Sequence, residues 1–154
     1  MSQNLKEKEI IDQPSTFARE APGDLPIVDR FDERILTALH AAAEKKATDP
    51  TILDLREIAS FTDFFMIVSG SNKRQVQAIA DAVVEKLKLR GTRAARVEGY
   101  QVAEWILVDY GDLVVHVFDD RARRFYDLER LWREARRFDI ANDDLGPAPP
   151  GAAT

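Results

Sequence analysis

Apolar side chains recur at helical spacing near the start of the first strongly patterned stretch of the chain. They occur at Phe31, Ile35, Leu36, Leu39 and Ala42. Positions three and four residues apart lie on one side of a helix. Asp32 is of a type that caps helix N-termini, and the step from Asp49 to Pro50 disfavours helical backbone before the proline. The pattern therefore predicts a first amphipathic helix over residues 32–47.

A second helical stretch follows the segment Ser69, Gly70, Ser71 and Asn72. Its apolar members are Val76, Ile79, Ala80, Val83 and Leu87. This spacing gives one apolar stripe along a helix. Gly91 is well placed to end the helix, because glycine adopts the left-handed conformation common just past a helix C-terminus. We therefore predict a second amphipathic helix that ends near Gly91.

Five short runs rich in β-branched and aromatic residues have the length and composition of strands. They cover residues 51–55, 64–68, 94–97, 105–109 and 113–118. Only Tyr110, Gly111 and Asp112 separate the last two, which is typical of a tight hairpin. The order α-β-β-α-β-β-β-α mixes hairpins with one crossover. It predicts a single α/β domain whose mixed sheet of about five strands is flanked by helices.

The closing segment, residues 119–138, alternates arginine with aspartate and glutamate. This charge pattern predicts one or two short helices with a solvated face. The apolar members of the segment are Phe125, Leu128, Leu131 and Trp132. Their spacing favours packing in the core, although some of them could instead face a partner.

The ends of the chain differ in composition from its middle. Residues 1–30 mix charge with proline and glycine and show no apolar period, which predicts a disordered or loosely attached leader. Residues 31–138 form the predicted domain. Residues 139–154 end in a run of proline, alanine and glycine, which predicts a flexible tail.

Composition narrows the classes of function. The 154 residues include no cysteine and two histidines, so we expect neither a metal site nor a cofactor. The net charge of −5 disfavours broad binding to nucleic acid backbone, which needs a basic surface. It suits a basic protein partner better. No apolar run approaches the ~20 residues of a membrane span, and the start of the chain resembles neither a signal nor a transit peptide. We expect a soluble, cytoplasmic protein.

Gly70 and Ser71 stand where a strand ends and a helix begins. Free backbone amides there, with Lys73 and Arg74 nearby, could hold a phosphate. Helix capping by Ser71 or Asn72 explains the same residues, and we favour it. Nucleotidyltransferases also open a helix with Gly-Ser, but they need acidic residues on a following strand to hold magnesium. The next acid here, Asp81, falls inside the predicted helix, which weakens the enzyme interpretation.

A group of acids and aromatics surrounds the predicted strand ends. It comprises Glu98, Glu104, Trp105, Asp109, Tyr110 and Asp112. Paired carboxylates can act as acid and base. Asp109, Gly111 and Asp112 also suit a simple turn, which we favour on composition. Tryptophan and tyrosine flanked by acids equally describe a protein-binding hot spot for a basic partner. His116 lies in an apolar run, where a hydrogen-bonded core residue is the favoured interpretation.

Six motifs together resemble the ribosomal silencing factor family, also called the RsfS or Iojap family. They are Thr62-Asp63-Phe64-Phe65, the run from Ser69 to Val76, Val97-Glu98-Gly99, Glu104-Trp105, the run from Asp109 to Phe118, and the run from Phe125 to Trp132. The likeness covers about residues 31–137, with matching order and spacing. It implies a nucleotidyltransferase-like fold without catalytic acids.

The resemblance also implies a function. Members of the family are non-enzymatic proteins that dock on the fourteenth protein of the large ribosomal subunit. They obstruct joining of the small subunit when nutrients are scarce, and they form homodimers. Transferred to this chain, the partner-binding residues are expected among Glu98, Trp105, Asp109, Tyr110, Asp112, His116 and Arg74. The alternative hypothesis is a nucleotidyltransferase-like enzyme or nucleotide-binding protein.

Overall fold

A computed structural model describes residues 31–149. The predicted leader and the last five residues of the predicted tail lie outside the described residues. The elements are α1 (Glu33–Glu44), β1 (Thr48–Asp54), β2 (Phe64–Gly70), α2 (Lys73–Leu89), β3 (Arg96–Glu98), β4 (Trp105–Asp109), β5 (Leu113–Asp119), α3 (Asp120–Tyr126), α4 (Leu128–Leu131) and β6 (Arg136–Asp139), followed by a 3-10 helix, Asn142–Asp144.

The strands form one mixed sheet in the order β3-β4-β5-β2-β1-β6. Only β2 and β5 are parallel, and every other neighbouring pair is antiparallel. The parallel pair arises because the chain leaves β2 through α2 and returns to the centre of the sheet through the β4–β5 hairpin. The predicted α/β fold with a mixed sheet is therefore confirmed, with six strands instead of about five.

Helices α1 and α2 cover one face of the sheet. Alternate residues of the central strands point toward them, and these form the larger core. They include Ile52, Met66, Val68, Ile106, Val108, Val115 and Val117. The intervening residues, such as Leu53, Phe65 and Phe118, form a smaller core under α3 and α4 on the opposite face. This division follows from strand geometry, in which successive side chains point to opposite faces.

Each of the two long helices follows a capping residue, and each is followed two residues after its end by a residue with left-handed backbone. The Asp32 carboxylate accepts hydrogen bonds from the backbone amides of Arg34 and Ile35, as its position predicted. Helix α1 ends at Glu44 and not near residue 47, because Lys46 already has a φ of 65°. Gly91, with a φ of 94°, follows α2 as predicted.

The end of the domain differs from the prediction. Residues 136–139 form the edge strand β6 along β1, where we expected the end of a helical segment. Beyond it, Ile140 and Leu145 are buried in the larger core. The packed domain therefore continues past the predicted boundary at residue 138, and the segment up to Leu145 is part of it.

Candidate protein-docking surface

A row of aromatic rings crosses the sheet face opposite α1 and α2. Trp105 lies between Tyr126 and His116, with ring centroids 4.7 and 5.9 Å away. His116 in turn lies 4.4 Å from Phe65. The row continues to Trp132, 6.0 Å from Phe65. We call the surface formed by this row and its flanking rings the aromatic face; the flanking rings are Phe61, Phe118 and Phe125.

Large apolar side chains at both ends of the aromatic face are open to solvent. Phe125 is 80% exposed at one end and Phe61 is 60% exposed at the other, and Leu131 of α4 is 69% exposed. Of the apolar residues in 119–138, Leu128 packs in the core as predicted, whereas Phe125 and Leu131 do not. The rings between the two ends, Phe65 and His116, are buried, so the exposed apolar surface lies at the ends of the row, where such surface marks interaction sites in folded proteins.

Trp105 and His116 are joined by a hydrogen bond inside this surface. The Trp105 Nε1–H donates to His116 Nδ1 at 3.0 Å, so the neutral imidazole carries its proton on Nε2. The ring is 3% exposed, and burial lowers the pKa of His116 to about 3. His116 is therefore a neutral core residue that orients Trp105, which is the interpretation the sequence favoured. It does not itself present a surface to a partner.

The backbone of Trp105 is packed directly against Gly99. A Cβ atom at residue 99 would lie 2.2 Å from the Trp105 carbonyl oxygen, and Gly99 has a φ of +81°. Both the close approach and the left-handed backbone require glycine. The Val97-Glu98-Gly99 motif thus positions the start of β4.

A buried ion pair fastens the short helices to the sheet. Arg123 Nη2 lies 2.6 Å from Glu129 Oε2, and the two side chains are 12% and 10% exposed. The same guanidinium donates to the Asp49 carbonyl, to Ser69 Oγ and to Thr51 Oγ1. It thereby connects α3 and α4 with the ends of β1 and β2. The solvated face predicted for this segment is wrong at Arg123 and Glu129.

The predicted partner-binding residues do not form one patch. On the aromatic side of the sheet, Glu98 and Asp109 lie at the edge formed by β3 and β4. Arg96 binds both, with Nη1 2.8 Å from Glu98 and Nε 3.1 Å from Asp109. Asp109 also accepts a hydrogen bond from the Gly111 amide, so it shapes the hairpin turn as well.

Tyr110, Asp112 and Arg74 lie away from the aromatic face. Tyr110 packs against the larger core, and burial raises its pKa to about 12. Asp112 accepts two hydrogen bonds of 2.9 Å from Arg34, and these hydrogen bonds lower the pKa of Asp112. Arg74 is exposed in the first turn of α2. The proposed patch therefore reduces to Trp105 with Asp109 and Glu98 at its margin.

The Gly70–Ser71 corner is a helix cap. The Ser71 amide and hydroxyl both donate to Gln75 Oε1, at 2.7 and 3.0 Å, and the Gln75 amide donates to Asn72 Oδ1 at 2.8 Å. A Cβ atom at residue 70 would lie 3.2 Å from Val76, so glycine lets α2 pack closely. The Ser71 and Gln75 amides, which could otherwise hold a phosphate, are thus used within the helix cap.

We predict that the chain shows no magnesium-dependent binding of ATP or other nucleoside triphosphates. The Ser71 amide would first have to leave Gln75, and the nearby Lys73 and Arg74 by themselves supply little affinity. Isothermal titration calorimetry with and without magnesium checks this. A heat signal that indicates tight, magnesium-dependent nucleotide binding, and that is lost in Arg74→Ala, would contradict the prediction and revive the enzyme alternative.

Residues 31–149 contain neither a metal-binding cluster nor a membrane-spanning helix. No group of three or more histidine, aspartate or glutamate side chains in this part of the chain is arranged to hold a metal ion. None of its helices is long and apolar enough to cross a lipid bilayer.

Comparison with known families gives a match over most of the chain. The family model described as "Ribosomal silencing factor during starvation" matches residues 28–152. This range contains every element of the fold and the whole aromatic face.

Individual relatives agree with this match. A ribosomal silencing factor from Halalkalibacterium halodurans is 41% identical over 103 residues, covering 67% of this chain and 88% of its own length. A mouse protein named for mitochondrial assembly of the ribosomal large subunit is 31% identical, covering 79% of this chain and 54% of its own. A crystal structure from Chromobacterium violaceum superimposes with a TM-score of 0.64 at 32% identity, covering 73% of this chain and 95% of that one.

Proposed function

The chain belongs to the ribosomal silencing factor family, and from this premise we propose that it binds the large ribosomal subunit and prevents the small subunit from joining. A relative named for assembly of the large subunit supports the choice of subunit. The fourteenth protein of that subunit is the proposed docking site, as the resemblance implies. The family description, which names starvation, supports the proposal that the chain acts when nutrients are scarce.

The observation that carries the proposal is the set of exposed apolar side chains at the ends of the aromatic face. Phe61, Phe125 and Leu131 are each at least 60% exposed, yet they adjoin a rigid row of packed rings. Exposed aromatic side chains on an ordered support are the usual anchors of protein interfaces. The surface is therefore suited to a protein partner, and we propose that it docks on the large-subunit protein.

The proposed mechanism is steric. A compact domain of about 120 residues has a radius of gyration of about 13–14 Å. A body of that size seated on the face where the subunits meet keeps them from making contact. No bond to the reacting centre of the ribosome is needed, so we propose that the chain acts without catalysis. The action takes place where ribosomal subunits join, which in bacteria is the cytoplasm.

We expect the purified chain to co-sediment with isolated large subunits and not with small ones. In a light-scattering assay, it should reduce the formation of joined ribosomes in proportion to the large subunits it occupies. Equal binding to both subunits, or to neither, would contradict the proposal. Binding to large subunits without any effect on joining would contradict the steric mechanism alone.

The homodimer implied by the resemblance stays a prediction, and sedimentation of the free chain tests it.

A further inference from the structure

The acids expected to attract a basic partner are largely paired within the chain. Asp109 and Glu98 share Arg96, and Asp112 holds Arg34 through both of its oxygens. A carboxylate that already binds a guanidinium attracts a second, incoming cation less strongly. A stronger site for a basic partner is therefore a place where an acid lacks such a pairing.

Such a place exists at the end of the aromatic face, where β4 begins and β5 ends. The Asp119 amide donates to the Glu104 carbonyl at 2.9 Å, which holds these two acidic residues side by side. Asp119 uses one oxygen to cap α3 through the Ala122 amide. Within residues 31–149, the exposed Glu104 carboxylate takes part in no ion pair.

Two aromatic rings complete a groove beside these acids. The groove has a volume of about 430 Å³ and is lined by Glu104, Asp119, Arg121, Ala122, Phe125 and Tyr126. The Phe125 ring is 80% exposed and meets Tyr126 edge-on at 5.0 Å. Tyr126 is fixed from behind by Trp105. The groove lining thus combines two aromatic rings with two carboxylates and one cation, Arg121.

We propose that this groove receives an arginine side chain of the large-subunit protein on which the chain docks. A guanidinium is planar, so it can lie against an aromatic ring while its N–H groups reach a carboxylate. Two acids and one arginine give the lining a net negative charge, and the chain as a whole carries −5, which complements a basic partner. The inference rests on the proposed function and specifies its chemistry.

The test compares Phe125→Ala and Glu104→Gln with wild-type protein in binding to isolated large subunits at several salt concentrations. Cation–π contacts of this kind are worth about 0.5–2 kcal/mol, so Phe125→Ala should weaken binding by roughly 2- to 30-fold. Glu104→Gln should weaken binding severalfold at low salt and reduce its salt dependence. Melting temperatures should stay near that of wild type, since both side chains are exposed.

Matched controls lie on the opposite side of the sheet. Leu89→Ala removes another exposed apolar side chain and Glu85→Gln another exposed carboxylate, both on α2. Neither should change the affinity for large subunits. If the groove variants bind as well as these controls, the groove assignment is overturned while the proposed function stands. If Phe125→Ala weakens binding and Glu104→Gln leaves it unchanged, the occupant of the groove is apolar and the assignment of an arginine is wrong. If wild-type protein does not bind, the proposed function itself fails.

Discussion

Replacement of Arg123 by methionine is expected to lower the free energy of unfolding by about 3–5 kcal/mol, the range for removing one partner of a buried ion pair. Glu129 would keep its charge in a site where its side chain is 10% exposed. The Asp49 carbonyl, Ser69 Oγ and Thr51 Oγ1 would each lose a donor. A methionine fills most of the volume, so the loss reflects charge and hydrogen bonding more than a cavity.

Urea unfolding followed by circular dichroism measures this effect, with Arg137→Met as the matched control. Arg137 also pairs with an acid, Asp139, but these side chains are 49% and 68% exposed. An exposed pair is worth about 0–1 kcal/mol. The double variant Arg123→Met with Glu129→Leu should recover much of the stability, because it removes both buried charges. Equal stability of Arg123→Met and Arg137→Met would show that the buried network contributes little.

The elements of the fold with strong periodicity could be predicted from the sequence. The apolar stripe of α2 runs for three turns and is bounded by Asn72 and Gly91, so both its type and its ends were predictable. The central strands β2 and β5 are apolar on both faces, as expected for strands buried between two layers. The local pattern was sufficient in these cases because buried positions recur at a regular interval along each element.

The parts that could not be predicted depend on contacts between distant residues. Strand β6 has a single large apolar residue, Phe138, and becomes a strand because β1 offers a free edge beside it. Arg123 and Glu129 have the composition of a solvated helix face. They are buried because Thr51 and Ser69, more than fifty positions earlier in the chain, supply polar partners. No local pattern carries that information.

The partner-binding residues stay a prediction, and strand geometry explains why they do not form one patch. Trp105 begins β4 and Tyr110 directly follows its last residue. Their separation of five positions is odd, which directs the two side chains to opposite faces. The Trp105 and Asp109 side chains share a face because their separation is even. Grouping all of these residues into one patch ignored this alternation. The pairing of Asp112 with Arg34, in contrast, needed the structure.

Replacement of Trp105 by alanine is expected to weaken binding to large subunits by about 2 kcal/mol or more, the scale of an interface hot spot. This corresponds to roughly a 30-fold loss of affinity. Trp105 is half-buried in the centre of the aromatic row, between Tyr126 and His116. Its removal deletes contact surface and also releases the Tyr126 ring beside the proposed arginine groove.

Trp105→Ala will also destabilise the fold, because the indole packs on Phe118 and donates to His116. Tyr110→Ala is the matched control. This half-buried aromatic directly follows the other end of β4 and packs toward α1 and α2. Both variants should lose stability on the order of 2 kcal/mol. Affinity is therefore measured well below both melting temperatures and corrected for the folded fraction. With that correction only Trp105→Ala should lose affinity, and a larger loss in Tyr110→Ala would place the docking surface on the helical side of the sheet.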